Sequence, residues 1–421
     1  MTHTIMTFIA RVKPEKADAL RALLAQIRDD PEGNPYIPFR KFNSLHFASL
    51  VLHESHPEYG PYLVFENNFD GDLGPYLDDL YRQAAGGLHQ IYVCCQDYAV
   101  ANAADRAGML AYLNAHVVRP NAYHVGNTGR GAERVIQERG LRNALETAAD
   151  SLARAGQTAS ATQLLDALRN PLRRDPQFSW IPGVGPRQSF LEKAVPWTKL
   201  VLAAVLLLIT LPIWLIPAII GMLVIRYKES TDSVQAGAAD GDNVRKLVQS
   251  EDHTQSVSNH MASITIVKPG WLRRGALWIV LWAINLLART LYTHGQLGGI
   301  PSIHFAHWSM IDGGRRLLFL SNFDGSWENY LDDFIDKAAS GLTGVWSNTV
   351  GFPRTEFLVF GGARDGPRFK AVARDSQTVT NAWYSAYRDL TVQGVDNSSS
   401  IREDIYLPLA EGAAETWLQR L

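Results

Sequence analysis

The chain has 421 residues, enough for two or three domains with sizeable cores. Its 40 basic and 42 acidic side chains leave a formal charge of -2, so nothing in the overall balance suggests a nucleic-acid partner, for which a clustered basic excess is expected. The two cysteines, Cys94 and Cys95, are adjacent; on a strand they point to opposite faces, so they are read as buried thiols in a reducing compartment, with no disulfide and no metal site.

The start Met1-Thr2-His3-Thr4 lacks the basic and apolar regions of a secretion signal, which places the first half in the cytoplasm. Phe8 to Pro14 reads as a short apolar strand stopped by proline, which cannot donate to a sheet ladder. A polar helix follows over Glu15 to Ile27. Ser44-Leu45-His46-Phe47-Ala48 opens a second strand, Tyr62 to Glu66 a third, and the loop His53 to Pro61 between them suits a hairpin. Next comes Asn68-Phe69-Asp70-Gly71, leading into a helix whose Tyr76, Leu77, Leu80 and Tyr81 share one face while Asp78 and Asp79 look outward. Gly71 can take positive φ at the turn and Asp72 can cap the helix. A closing strand is expected around Ile91 to Tyr98.

The same phrases return in the same order. Ser263 to Pro269 matches the first strand, Ser302-Ile303-His304-Phe305-Ala306 the second, Leu317 to Leu320 the third, and Asn322-Phe323-Asp324-Gly325 the turn. The helix after it carries Tyr330, Leu331, Phe334 and Ile335 on one face and Asp332-Asp333 on the other, and the closing strand is expected around Glu356 to Phe360. Such ungapped repetition signals an internal duplication. The order strand, helix, strand, strand, helix, strand is that of a ferredoxin-like unit. The fold class is therefore α+β: two ferredoxin-like βαββαβ units forming a pseudo-dimeric α/β barrel or sandwich, with a helical appendage and a membrane-inserted segment.

Between the two units, Gly126 to Gly131 forms a glycine-rich turn. It is either an ordinary loop or a set of amides presented to a phosphate at a helix start. Alanine-rich helices over Arg130 to Ala155 and Ala159 to Arg169 form the appendage, and a linker runs from Pro171 to Pro186. Leu200 to Ile225 carries no charge and is long enough to cross a bilayer. Two halves that share a fold must lie on one side of the membrane, so a hairpin broken at Pro212 and Pro217 is favoured over a single span. Gly275 to Ala288 is also apolar, but it occupies the place of the second unit's first helix. Trp271, Trp278 and Trp282, with Arg273, Arg274 and Arg289, suit a helix on or in the membrane surface. The domain boundaries are 1–125 for the first unit, 126–194 for the appendage and linker, 195–228 for the membrane segment, 229–260 for a polar connector and 261–421 for the second unit.

His46 and His304 occupy equivalent strand positions, and imidazole serves as acid, base or ligand near neutral pH. With Asp70 and Asp324 they are the candidate catalytic residues, and Asn68 and Asn322 the candidate ligand-binding ones. Each also has a structural explanation: a strand histidine bonding a neighbour, or Asn and Asp satisfying a strand-to-helix turn. The duplicated units with Phe-Asp-Gly at a strand end resemble the dimeric α/β-barrel superfamily of dye-decolourising peroxidases and chlorite dismutase-like haem proteins, whose Gly-x-x-Asp-Gly aspartate works beside haem. Asp70-Gly71 and Asp324-Gly325 match it, with Asn67 and Ser321 in place of the leading glycine. The phrases also resemble those of an uncharacterised bacterial membrane-associated family. The superfamily resemblance implies a haem cofactor, and the membrane segment points to binding or transformation of a lipophilic small molecule that enters from the membrane side. The alternative is a non-catalytic membrane scaffold or protein-interaction module. In either case the lipid bilayer is a partner, and the inner membrane, with the soluble domains in the cytoplasm, is the expected location.

Overall fold

The computed structural model describes residues 2–54, 60–155, 159–182, 190–234, 239–253, 256–290 and 297–421. Parts of the expected hairpin loop His53 to Pro61 and of the linker Pro171 to Pro186 lie outside these residues. The chain is a mixed α+β protein with antiparallel sheets. In its first half, β1 (His3–Arg11), α1 (Ala17–Asp29), β2 (Leu45–His53), β3 (Tyr62–Asp70), α2 (Leu73–Tyr92), α3 (Arg106–Ala115), β4 (Val117–Val118) and β5 (Ala122–Val125) precede the helices α4 (Ala132–Arg154) and α5 (Ala161–Leu172). The long α6 (Phe190–Thr231) and α7 (Gly241–His253) connect to the second half. There, β6 (Ser258–Ile266), α8 (Trp271–Thr290), β7 (Ile303–Ile311), β8 (Arg316–Asp324) and α9 (Trp327–Trp346) are followed by a small hairpin of β9 (Thr355–Glu356) and β10 (Phe360–Gly361). The half ends with α10 (Gly366–Ser376), β11 (Gln377–Thr378), β12 (Ala382–Ser385), α11 (Val392–Asp404) and α12 (Glu411–Leu418).

One five-stranded sheet runs β12-β2-β3-β1-β4 and the other β11-β6-β8-β7-β5. Each sheet takes its outer strand from the opposite half: β5 pairs with β7, and β12 pairs with β2. The sheets face one another. Thr7 of β1 reaches His307 of β7, and Val51 and Val64 pack with Ala262, Leu318 and Leu320. Helices cover the outer faces because one stripe of each is apolar. Leu20, Leu24 and Ile27 of α1 and Tyr76, Leu77 and Leu80 of α2 bury against the first sheet. Leu277 and Leu281 of α8 and Tyr330, Leu331 and Phe334 of α9 do so on the second. The helices α4, α5, α11 and α12 form a separate cluster around Leu141, Leu165, Ile401 and Trp417.

Several expectations need correction. The closing strands are Val117–Val118 and Gln377–Thr378; residues 91–98 end a helix, and 356–360 turn a local hairpin. The appendage is not private to the first half, since α4 and α5 pack on α11 and α12. The connector 229–260 is less solvated than expected, because Glu229 is buried and Ser258 already belongs to β6. The membrane segment is one continuous helix of 42 residues rather than a hairpin. Its apolar side chains are exposed around most of the circumference, and its last turns pack on α8, where Gly221 meets Leu272. α8 does replace the polar first helix, and it exposes Trp271, Trp278 and Trp282.

Candidate functional site

The interior between the sheets is polar at one end, and the strand irregularities put it there. The β2–β3 register slips between Leu45 and Phe47, and the β7–β8 register slips in the same way between Ile303 and Phe305. His46 and His304 are the extra residues of these bulges. A bulge turns consecutive side chains to the same face, so each histidine enters the interior beside its phenylalanine. Phe47, Phe305, Trp383 and Tyr387 fill the space between.

Asp70, at the end of β3, collects four elements. Its Oδ1 lies 3.0 Å from His46 Nε2 and 3.0 Å from His3 Nδ1. Its Oδ2 accepts the first amide of α4, Ala132 N, at 2.8 Å. A carboxylate at a helix N-terminus meets unsatisfied N–H groups and the positive end of the helix dipole. Asp324 repeats this. His304 Nε2 is 2.7 Å away, Ser258 donates at 2.9 Å from the place of His3, and Val392 N of α11 donates at 2.7 Å. The glycine-rich turn before α4 therefore serves the chain's own groups: Gly129 N–H donates to His3 Nε2 at 2.8 Å.

Protonation follows from these partners. An ionised Asp70 only accepts, so His46 Nε2–H donates to it, and His46 Nδ1 receives the Tyr387 hydroxyl proton at 2.8 Å. Because His3 Nε2 accepts from Gly129, His3 carries its proton on Nδ1, facing Asp70. Burial works against the Asp70 charge, but His46 and the hydrogen bonds of His3 and His46 outweigh it and hold the carboxyl well below its usual range. Burial lowers the proton affinity of His46 and raises the Tyr387 phenol well above its ordinary value.

The donor atoms of His3, His46 and Asp70 are close enough for a metal, all within 4.8 Å. They are better matched to one another, since a ligating His3 Nδ1 would have to shed its proton while Nε2 still accepts an amide. Haem does not fit either. Both ring nitrogens of His46 and Nε2 of His304 are taken; His304 Nδ1 has no partner among the described residues, but the residue is buried and rings pack on both histidines, with His46–Phe305 at 5.3 Å and His304–Phe47 at 5.0 Å. The positions that depart from the peroxidase motif have their own work: Asn67 and Ser321 accept the hydroxyls of Tyr76 and Tyr330 at 2.8 and 2.7 Å.

Asn68 and Asn322 are fully buried rather than at a cleft mouth. Asn322 accepts the Trp383 indole N–H at 2.8 Å, whereas neither amide atom of Asn68 has a hydrogen-bond partner among the described residues. The outward aspartates form surface ion pairs, Asp78 with Arg106 and Asp333 with Lys337. Deeper between the sheets lies a cluster that the sequence did not disclose. Glu66, with no exposed surface, accepts Ser49 Oγ at 3.1 Å and faces His260 Nε2 at 3.1 Å and His307 Nδ1 at 3.3 Å, both from the opposite half. Burial disfavours its charge, but the two histidines hold the carboxyl well below its ordinary range. A glutamate ending the apolar run Tyr62-Leu-Val-Phe was the available signal. Comparison with protein-family models, curated proteins and solved structures finds no match for the chain.

Proposed function

We propose that this chain is a membrane-anchored scaffold: two duplicated ferredoxin-like units forming a pseudo-dimeric barrel, held at a bilayer and displayed to a protein partner. The observation that carries it is α6. Residues 200–225 are uncharged, and the helix from Trp197 to Thr231 has a mean hydropathy of 2.6 over its most apolar window, none of which is buried in the protein. A helix apolar all round and uncovered is suited to lipid. The tryptophan stripe of α8 lies beside it and supplies the amphipathic rings favoured at the membrane interface. The ferredoxin-like assignment is supported by the strand order 4-1-3-2 within each half. Duplication is supported by the recurrence in both of bulge, histidine and an aspartate that accepts the first amide of α4 or α11; the expected cap forms at Ser326 but not at Asp72.

The scaffold reading is preferred to an enzyme acting on a lipophilic molecule because Asp70 and Asp324 are taken up by His46, His304 and helix amides, and His46 Nδ1 by the Tyr387 hydroxyl. An apolar cavity lined by Phe319, Tyr330, Phe334 and Trp346, apart from these residues, holds little more than a water molecule. The test is purification from membranes. The protein should stay in the pellet after alkaline carbonate, be released when Leu208 and Ile213 are both changed to Lys, and show no Soret absorption in detergent. Wild-type release would overturn the anchor, and a Soret band would overturn the scaffold in favour of haem chemistry.

A further inference from the structure

The turn beside the emergence of α6 is built against backbone preference. The strands β9 and β10 are joined through Phe357 and Leu358, whose φ angles are 53° and 65°. Bulky residues avoid this left-handed region, and hairpin turns that need it ordinarily use Asn and Gly. Glu229, in the last turn of α6, holds the conformation. Its carboxylate accepts Phe357 N–H, Leu358 N–H and the Thr355 hydroxyl, each at 2.9 Å. Arg226, one turn earlier, bonds Glu356 at 3.1 Å and lies 5.8 Å over the Phe357 ring. The turn thus buries Leu358 and splays the rest outward: Phe357 is 41%, Val359 38% and Phe360 56% exposed.

We propose that the Phe357–Phe360 tip is a membrane wedge, which seats its apolar side chains in the headgroup and acyl boundary of the bilayer next to α6. It rests on α6 being the anchor. Backbone strain is retained where surrounding structure imposes it, and here the imposing group belongs to the anchor helix itself. The apolar tip lies against the last turn of α6, one turn past the end of its uncharged stretch at Ile225. Arg226 and Lys228 stand at the junction, where anionic phosphates are found. Wedge and anchor would then enter the membrane as one unit, and Glu229 sets the depth of the tip.

The test uses the full chain in vesicles of phosphatidylcholine and phosphatidylglycerol that carry a shallow nitroxide-labelled lipid, with an environment-sensitive fluorophore on single introduced cysteines. The native thiols are buried, and burial pushes Cys95 up to about 12, so both react poorly. Labels at Phe360→Cys and, within α6, at Leu208→Cys should be quenched several-fold more than one at Leu407→Cys, exposed between α11 and α12. Quenching at 208 without quenching at 360 would overturn the wedge and leave the anchor standing. Absence of quenching at both would overturn the anchor and the wedge with it. Adding Glu229→Gln should bring the signal at 360 down to that at 407 while 208 is unchanged; an unaltered signal at 360 would overturn the clamp.

Discussion

Asp70 shows how much one carboxylate can organise: β3 carries it, β1 and β2 bring its histidines, and α4 brings its amide. Its charge is favoured in the folded state, so it contributes stability above the unfolded aspartate range, near pH ~4, and loses it below. The histidines act earlier. His124, on the exchanged β5, is 3% exposed, and burial alone pushes it down to about 4. His46 is shifted in the same direction. A folded-state value below the unfolded ~6.5 means that the unfolded chain takes up the proton first. The stability due to these neutral histidines is complete above pH ~6.5 and is lost as pH falls through the folded values. His124→Phe should therefore flatten the decline of denaturation midpoint between pH 7 and 4, by up to roughly 3 kcal/mol at the acid end. An unchanged slope in a denaturant titration series would show that His124 does not titrate this way.

At the scale of elements, the exchanged strands bind the halves together, and each is registered by an asparagine. Asn121 Oδ1 accepts Met310 N–H at 2.8 Å beside β5, and Asn381 Oδ1 accepts Leu52 N–H at 2.6 Å beside β12. Removing either acceptor leaves a half-buried amide unpaired, so Asn121→Ala and Asn381→Ala should each cost about 1–3 kcal/mol in denaturant unfolding. Costs near zero would mean that the backbone ladder alone sets the register. These elements also mark where sequence reasoning works. The His-Phe-Ala strands and the helices after Asp70 and Asp324 were legible, because each shows helical or alternating periodicity or an exact match. The closing strands were missed because two residues such as Val117–Val118 carry no period. The bulges at His46 and His304 were missed because nothing in an alternating run marks the inserted residue. The Glu66 cluster was missed, although a glutamate ends an apolar run there, because its histidines come from the other half. Pro212 and Pro217 suggested a break, yet α6 continues past both.

For the whole molecule, the constraint is that both flanks of α6 are fixed to one body. Ile181 packs in the helical cluster with Ile405 and Trp417, and Glu229 is bonded to the β9–β10 turn. A 42-residue helix is about 63 Å long, roughly twice the hydrocarbon thickness of a bilayer. Were it to cross upright, Phe190 would stand on the far side, about 15 Å beyond a core ~30 Å thick, since the uncharged stretch begins only at Leu200. The chain from Ile181 to Phe190 has nine peptide links, which reach at most about 32 Å when fully extended. That is short of the distance required, so we predict that α6, if it meets a bilayer, lies along it with both ends on the side of the body. A membrane-impermeant maleimide applied to sealed vesicles should then label Thr198→Cys and Ser230→Cys from the same side, and neither from the other. Labelling from opposite sides would require the chain before Phe190 to thread the bilayer, and would restore the single span that the interleaved sheets argue against.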